Sequence, residues 1–278
     1  MKARAFAPGH ITGFFEVCMK DTEVASGSRG AGICLSQGAT ATVKQGETKK
    51  IVLVNGHPGG EVTRLALDLL TAEPLQVEVA LDLPISQGFG MSGAGTLAAT
   101  LAAASLLEIS RHRAVAAAHV AEVRCLTGLG DVLSAAQGGL ELRESPGVQG
   151  WIKKIPADGR VVLAVVGPPL ATKEVLQQVH HRDRINATGK ACVTDMLLAP
   201  SLNHFFTLSR RFAVQTGLLQ PAVASAVQVA SEHGMATMCM LGNAICAMGD
   251  TDALRDVLTS LGEVTVCEID QYGARLLE

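Results

Sequence analysis

Residues 84 to 108, PISQGFGMSGAGTLAATLAAASLLE, place Gly88, Gly90, Gly93, Gly95 and the hydroxyl of Ser92 within eight positions, directly ahead of an alanine-rich run. Without a Cβ, glycine takes left-handed backbone angles at no steric cost, so several N–H groups can be aimed at one point. The alanine-rich run predicts a helix opening near Gly93, whose unpaired first-turn N–H groups and positive dipole end favour an anion. Polyphosphate binding is the chemistry these residues suit, and no lysine lies within 84–108 to do it by side-chain charge. A flexible loop ahead of a core helix is the plain alternative, and it leaves the cost of four clustered glycines unexplained.

Gly88-Phe89-Gly90-Met91-Ser92-Gly93 spells the dinucleotide pattern G-x-G-x-x-G. That pattern needs a second strand ending in an acid about 20 residues on, to hold a ribose hydroxyl. Residues 97–126 instead predict helix with a break near Ser110, and Glu108 falls at a helix end. A P-loop is excluded too, because no Gly-Lys-Ser/Thr closes the glycine run.

The elements around this loop follow from periodicity. Residues 2–7 and 12–19 predict strands on either side of a Pro8-Gly9-His10 corner, followed by strands at 31–36, 39–44 and 50–55. Apolar positions 62, 65, 66 and 69 predict a helix over 60–72, and the alternation in 75–82 predicts the half-buried strand that delivers the chain to the loop. Helices at about 94–108 and 111–126 lead to Thr127-Gly128-Leu129-Gly130-Asp131, a short helix, and Gly138-Gly139 entering the strand GLELRE. Turns at Pro146-Gly147 and Pro156-Ala157-Asp158-Gly159 mark a boundary between domains 1–158 and 159–278. The second domain opens with a buried strand over 160–167 and is mostly helical over 172–234, with breaks near Pro200 and at 218–221. It closes with strands at 235–241, 244–249 and 263–270 around a helix at 251–261, an α+β pattern. The polar run 180–190, HHRDRINATGK, predicts a solvated helix face.

Composition narrows the class. The chain has 278 residues, enough for two modest domains with ample core. Mean hydropathy is +0.29 with 48% apolar residues, but the apolar runs are alanine-heavy and interrupted by Gly, Ser and Pro, so no membrane-spanning helix is expected. Pro8-Gly9 stands where a signal peptide would need its apolar centre, so a cytoplasmic protein is expected. Seven cysteines occur singly without a C-x-x-C pair, which suits small buried hydrophobes rather than a zinc site or disulfide framework. A net charge of −3 with 3% aromatics argues against nucleic acid as a partner.

The run P-x-x-x-G-x-G-x-S from Pro84 to Ser92, with Gly93 and Ala94 following, resembles the second motif of the GHMP small-molecule kinases. Three further matches fall in the family's order. Ala7-Pro8-Gly9-His10 with Glu16 is similar to the first motif, which lines the acceptor site. Thr127–Asp131, ending at Gly138-Gly139, looks like the loop carrying the catalytic aspartate. Met240-Leu241-Gly242-Asn243-Ala244 stands in the place of the glycine-rich third motif, with one glycine where the family has several. The strings PGHITGFFEV, GSRGAG and MLGN look like the archaeal pantoate kinases, a branch serving coenzyme A synthesis.

The resemblance implies a two-domain α+β fold, with an N-terminal domain like those of ribosomal proteins, a ferredoxin-like C-terminal domain and ATP at their junction. It implies ATP-dependent phosphorylation of pantoate on its 4-hydroxyl, with another small alcohol or a non-catalytic nucleotide-binding role as alternatives. Pro84, Gly88, Phe89, Gly90, Met91, Ser92, Gly93 and Ala94 would bind ATP, and Ser92 with Glu122 would hold Mg2+. Asp131 would take the hydroxyl proton, although its place ahead of a short helix also suits an N-cap. His10 departs from the lysine or arginine common at its position; a neutral ring there gives less charge, and it is expected in catalysis or substrate binding. Recognition of the pantoate carboxylate favours arginine, for which Arg29 and Arg143 are the candidates beside Glu16. A homodimer is admitted as the assembly.

Overall fold

A computed structural model of the chain describes residues 2–170 and 179–278, and the side chains of Val179, His180 and His181 lie outside the described set, as does the start of the helical stretch expected from 172. The N-terminal strands are longer than their sequence signals. β1 (Lys2–Cys18) and β2 (Gly27–Gln45) each run straight through the expected corners as single antiparallel partners, absorbing the irregularity as register shifts at Pro8/Gly9 and Thr12/Phe14. A bulge lets a strand bend without ending, which is why Pro8-Gly9-His10 is part of β1 and not a turn. β3 (Ile51–Val54), β4 (His57–Pro58), β5 (Leu75–Leu81), β6 (Leu140–Arg143) and β7 (Ile152–Ile155) complete this sheet with the C-terminal β12 (Arg275–Leu277), in the order β12-β1-β2-β5-β3-β4 with β6 and β7 branching from β2. β4, β7 and β12 are short pieces that periodicity does not single out.

Four helices cover this sheet. α1 (Glu61–Leu70), α2 (Met91–Leu106), α3 (Arg111–Cys125) and α4 (Asp131–Gln137) surround an axis formed by α2. Alanine dominates α2 because it is buried almost all round, between β1, β2 and β5 on one side and α1, α3 and α4 on the other. Small side chains let those backbones approach closely, and alanine costs the helix no side-chain entropy. Ser110 caps α3 by accepting from the Arg113 N–H at 3.5 Å.

The C-terminal half is built on β8 (Arg160–Val165), α5 (Val179–Leu198), α6 (Leu202–Thr216), α7 (Pro221–Ala230), β9 (Gly234–Met238), β10 (Ala244–Gly249), α8 (Thr251–Thr259) and β11 (Glu263–Glu268). Its antiparallel sheet runs β11-β8-β10-β9, so the four strands taken in chain order lie as 4-1-3-2 with helical connections after the first and third. That is the ferredoxin-like arrangement. The chain then returns to pair β12 with β1, so the first sheet is closed by the last residues. Cys34, Cys192, Cys239, Cys246 and Cys267 are buried, the small-hydrophobe role expected of them. No helix among the described residues is long and apolar enough to cross a membrane.

Candidate active site

The glycine loop, the end of α3, the loop before α4 and the turn between β9 and β10 enclose one cleft of about 930 Å³. Gly88 and Gly90 have φ of +82° and +63°, the left-handed angles the loop requires. Gly90 is the N-cap of α2, and no side chain caps that helix, so the N–H groups of its first turn are left to whatever enters the cleft. The helix opens at Met91, not near Gly93 as expected: Gly93 and Gly95 lie inside it, and their missing Cβ atoms make room elsewhere. A Cβ on Gly93 would sit 3.4 Å from the Cβ of Asp131, and one on Gly95 would sit 3.2 Å from Val79. The cradle therefore rests on two left-handed glycines, and the other two let α4 and β5 close on α2. Among the described residues lining the cleft there is no lysine or arginine, so a phosphate held here is held by backbone N–H groups and the helix end.

Two carboxylates face this cradle. Glu122 projects from α3 and accepts from the Ser92 hydroxyl at 2.6 Å. Burial pushes its carboxyl up, Asp131 adds repulsion, and the hydrogen bonds from Ser92 and Thr127 only partly offset this, leaving a pKa of about 7. Asp131, the first residue of α4, is 23% exposed. A Cβ on Gly128 would fall 2.6 Å from Glu122 Oε2 and 3.0 Å from Asp131 Oδ2, so both carboxylates converge on that glycine. A hydroxyl and one or two carboxylates around a polar opening are the hard-oxygen set that Mg2+ takes together with waters.

Asp131 does not cap α4: the helix has no side-chain cap, and the carboxylate turns instead to His10 Nδ1 at 2.7 Å and the Thr12 hydroxyl at 3.3 Å. Burial pushes this carboxyl up, but the hydrogen bond and charge of His10, the charge of Arg143 and the Thr12 hydroxyl outweigh it, and its pKa lies below the ordinary value. On its other side His10 Nε2 lies 3.0 Å from Glu141 Oε1. Burial pulls the imidazole down, while the hydrogen bonds and charges of Asp131 and Glu141 outweigh it, so His10 is raised and not the weakly charged ring expected from the sequence. Gly32 makes room for that ring, since a Cβ there would lie 2.1 Å from His10 Nε2.

The expected substrate residues separate. Glu16 and Arg29 are register partners across β1 and β2 and pair with each other at 3.2 Å, and Arg29 Nε donates to the Glu144 carbonyl at 2.7 Å. Neither lines the cleft; their neighbours Phe15 and Ser28 do, and strand alternation sends adjacent side chains to opposite faces. Arg143 is buried behind the cleft wall, where it donates to Glu141 and Ser134. A Cβ on Gly130 would fall 2.5 Å from Ser28 Oγ and 2.6 Å from Arg143 Nε, and that Nε has no hydrogen-bond partner. Thr12 and Glu141 were missed by the reading from sequence, although each stands two residues along a strand from a chosen residue, His10 and Arg143, and so points the same way. The apolar part of the wall, including Val54, Val62 and Val79, carried no motif at all.

The model of the GHMP kinases N terminal domain matches residues 61–139, from α1 through Asp131 to the entry of β6. Over 274 residues the chain is 31% identical to a pantoate kinase of Methanocaldococcus jannaschii, covering 95% of this chain and 99% of that one. The chain belongs to the GHMP kinases, in the branch of the pantoate kinases. It is also 30% identical to a pantoate kinase of Methanospirillum hungatei JF-1, covering 99% of this chain and 96% of the relative. A solved structure described as a phosphotransferase related to the CoA biosynthesis pathway superposes with a TM-score of 0.90 at 27% identity, over 100% of this chain and 99% of that one. As a GHMP kinase the chain is an ATP-dependent small-molecule kinase.

Proposed function

We propose that the chain phosphorylates pantoate on its 4-hydroxyl, using ATP, as a cytoplasmic enzyme of coenzyme A synthesis. The observation that carries this reading is the position of Asp131 beside the Gly88–Ser92 cradle, on the wall of the same cleft, in a chain related over its length to pantoate kinases. The phosphates of ATP lie on the backbone N–H groups of the loop and of the first turn of α2, and Val54, Val62 and Val79 offer apolar surface to the base. Ser92 and Glu122 hold Mg2+, which when bound neutralises charge on the phosphate oxygens.

The acceptor hydroxyl hydrogen-bonds to Asp131, which aims its oxygen at the γ-phosphorus. The new O–P bond forms as the bond to the bridging oxygen of ADP breaks, and the hydroxyl proton passes to Asp131. A carboxylate below its ordinary pKa is a weak base, so Asp131 contributes mainly by orientation, and the proton moves late, as the bond to phosphorus forms. The pantoate carboxylate is read at the Gly130 wall, where Ser28 lines the cleft and the buried Arg143 guanidinium behind it adds positive charge without contact.

A coupled ADP-release assay with pantoate, mevalonate, homoserine and shikimate tests this. Turnover confined to pantoate is expected. Turnover with a different alcohol would reassign the acceptor, and ATP binding without release from any of them would remove the catalytic reading.

A further inference from the structure

We propose that Glu141 is a positioning residue for the transfer: with Asp131 it brackets the His10 ring, one carboxylate on each nitrogen, so that the ring is an imidazolium and stands as a fixed cation against Asp131. This rests on the kinase reading of Asp131 given above.

The argument is one of donors and acceptors. Glu141 Oε1 accepts from the Arg143 guanidinium, stands within reach of the Ser134 hydroxyl, and lies 3.0 Å from His10 Nε2. Asp131 Oδ1 accepts from the Thr12 hydroxyl and lies 2.7 Å from His10 Nδ1. A neutral imidazole has one N–H and one bare lone pair, and would set that lone pair against a carboxylate oxygen on one side. With both carboxylates ionised, only the doubly protonated ring satisfies both contacts. The charges then alternate along Arg143, Glu141, His10 and Asp131, and in a buried row each sign is compensated by its neighbour.

Burial opposes the charge on the ring, and the hydrogen bonds and charges of the two carboxylates outweigh it. From β2 the Cys34 thiol approaches Ser134, and burial pushes it well above its ordinary pKa, so it stays neutral. From α3 the nearest acid is Glu122, which faces Ser92. α2 presents the Gly90 backbone to His10, and no lysine or arginine lines the cleft among the described residues. His10 is thus the cation in direct contact with Asp131, and Glu141, which touches no part of the cleft, acts through it.

The test reads the ring directly. In protein labelled with 15N at histidine, long-range 1H–15N correlation at pH 7.5 should show both His10 nitrogens protonated, the signal being assigned by its loss in His10→Gln. In Glu141→Gln the His10 midpoint should fall by about one pH unit or more, and the alkaline limb of kcat should move down with it while the KM for ATP stays within about twofold. Glu141→Asp, which restores the charge, should recover most of the midpoint. If the Gln variant does not fold, Glu141→Gln combined with Arg143→Met removes the buried pair together and is read in the same way. A neutral His10 in the wild type overturns the proposal, as does a midpoint and alkaline limb left unmoved by loss of the Glu141 charge. Because the spectrum needs no turnover, a wrong acceptor assignment would leave it unchanged.

Discussion

Gly242 presses against the backbone of Gln87 so closely that a Cβ on it would lie 2.1 Å from the Gln87 carbonyl carbon and 2.4 Å from the Gly88 nitrogen. The single glycine of the third motif therefore buttresses the phosphate loop from behind. Asn243 N–H donates to Gln87 Oε1 at 3.2 Å and Gln87 Nε2 to the Gly167 carbonyl at 3.1 Å, which ties the loop to the C-terminal half. Gly242→Ala should displace the loop, with a loss of about 1–3 kcal/mol of stability and a larger loss of ATP affinity. Thermal melts and calorimetric titration with ATP check this; a variant matching wild type in both would show that the two loops do not need this contact.

Gly90→Val attacks the cradle from the front. The residue has φ of +63°, and a Cβ there would lie 3.0 Å from the His10 carbonyl oxygen. A β-branched side chain at that angle costs on the order of 1–3 kcal/mol and crowds the anion site, so the KM for ATP should rise sharply or binding should vanish. Unchanged ATP binding by the folded variant would remove the phosphate from this loop.

Asp131→Asn keeps the shape and an acceptor oxygen for His10 while removing the charge. Turnover should fall by ~10²–10⁴-fold with ATP affinity near normal. Because Asp131 pairs with His10 and caps nothing, a stability loss of about 1–3 kcal/mol should accompany it, larger than exchanging one cap for another would cause. A variant retaining most of its turnover would falsify the role given to Asp131.

Glu122 links metal binding to pH. Its pKa of about 7 means that below neutrality a proton competes with the cation for the carboxylate, so Mg2+-dependent ATP affinity should rise with pH up to about 7 and level off above it. Without metal the sign is opposite for stability. The folded state keeps a proton that the unfolded chain releases, so this group's contribution is fully present below the ordinary carboxylate pKa and is lost as pH rises towards about 7. Glu122→Gln should flatten both profiles, measured as ATP titrations in Mg2+ and urea midpoints across pH; a wild-type affinity indifferent to pH between 5.5 and about 7.5 would remove the metal role.

The chemistry of the cradle was legible because it is local. Glycine at Gly88 and Gly90, followed at once by a run of alanine, dictates backbone angles and a helix start within a few residues, and the order of the four motifs carried the family. The ferredoxin-like half was legible for a similar reason, since each of its strands and helices has its own period and its own turn. Tertiary structure decided the rest through contacts between residues far apart in the chain. Asp131 is a helix cap or a cleft acid depending on whether a partner waits beside it, and that partner, His10, stands 121 positions away in the chain. Glu16 and Arg29 carried suitable charges, but the β1–β2 register set them against each other. The protonation of His10 rests on two carboxylates brought from α4 and β6, and one sequence position cannot report the field that distant charges create around it.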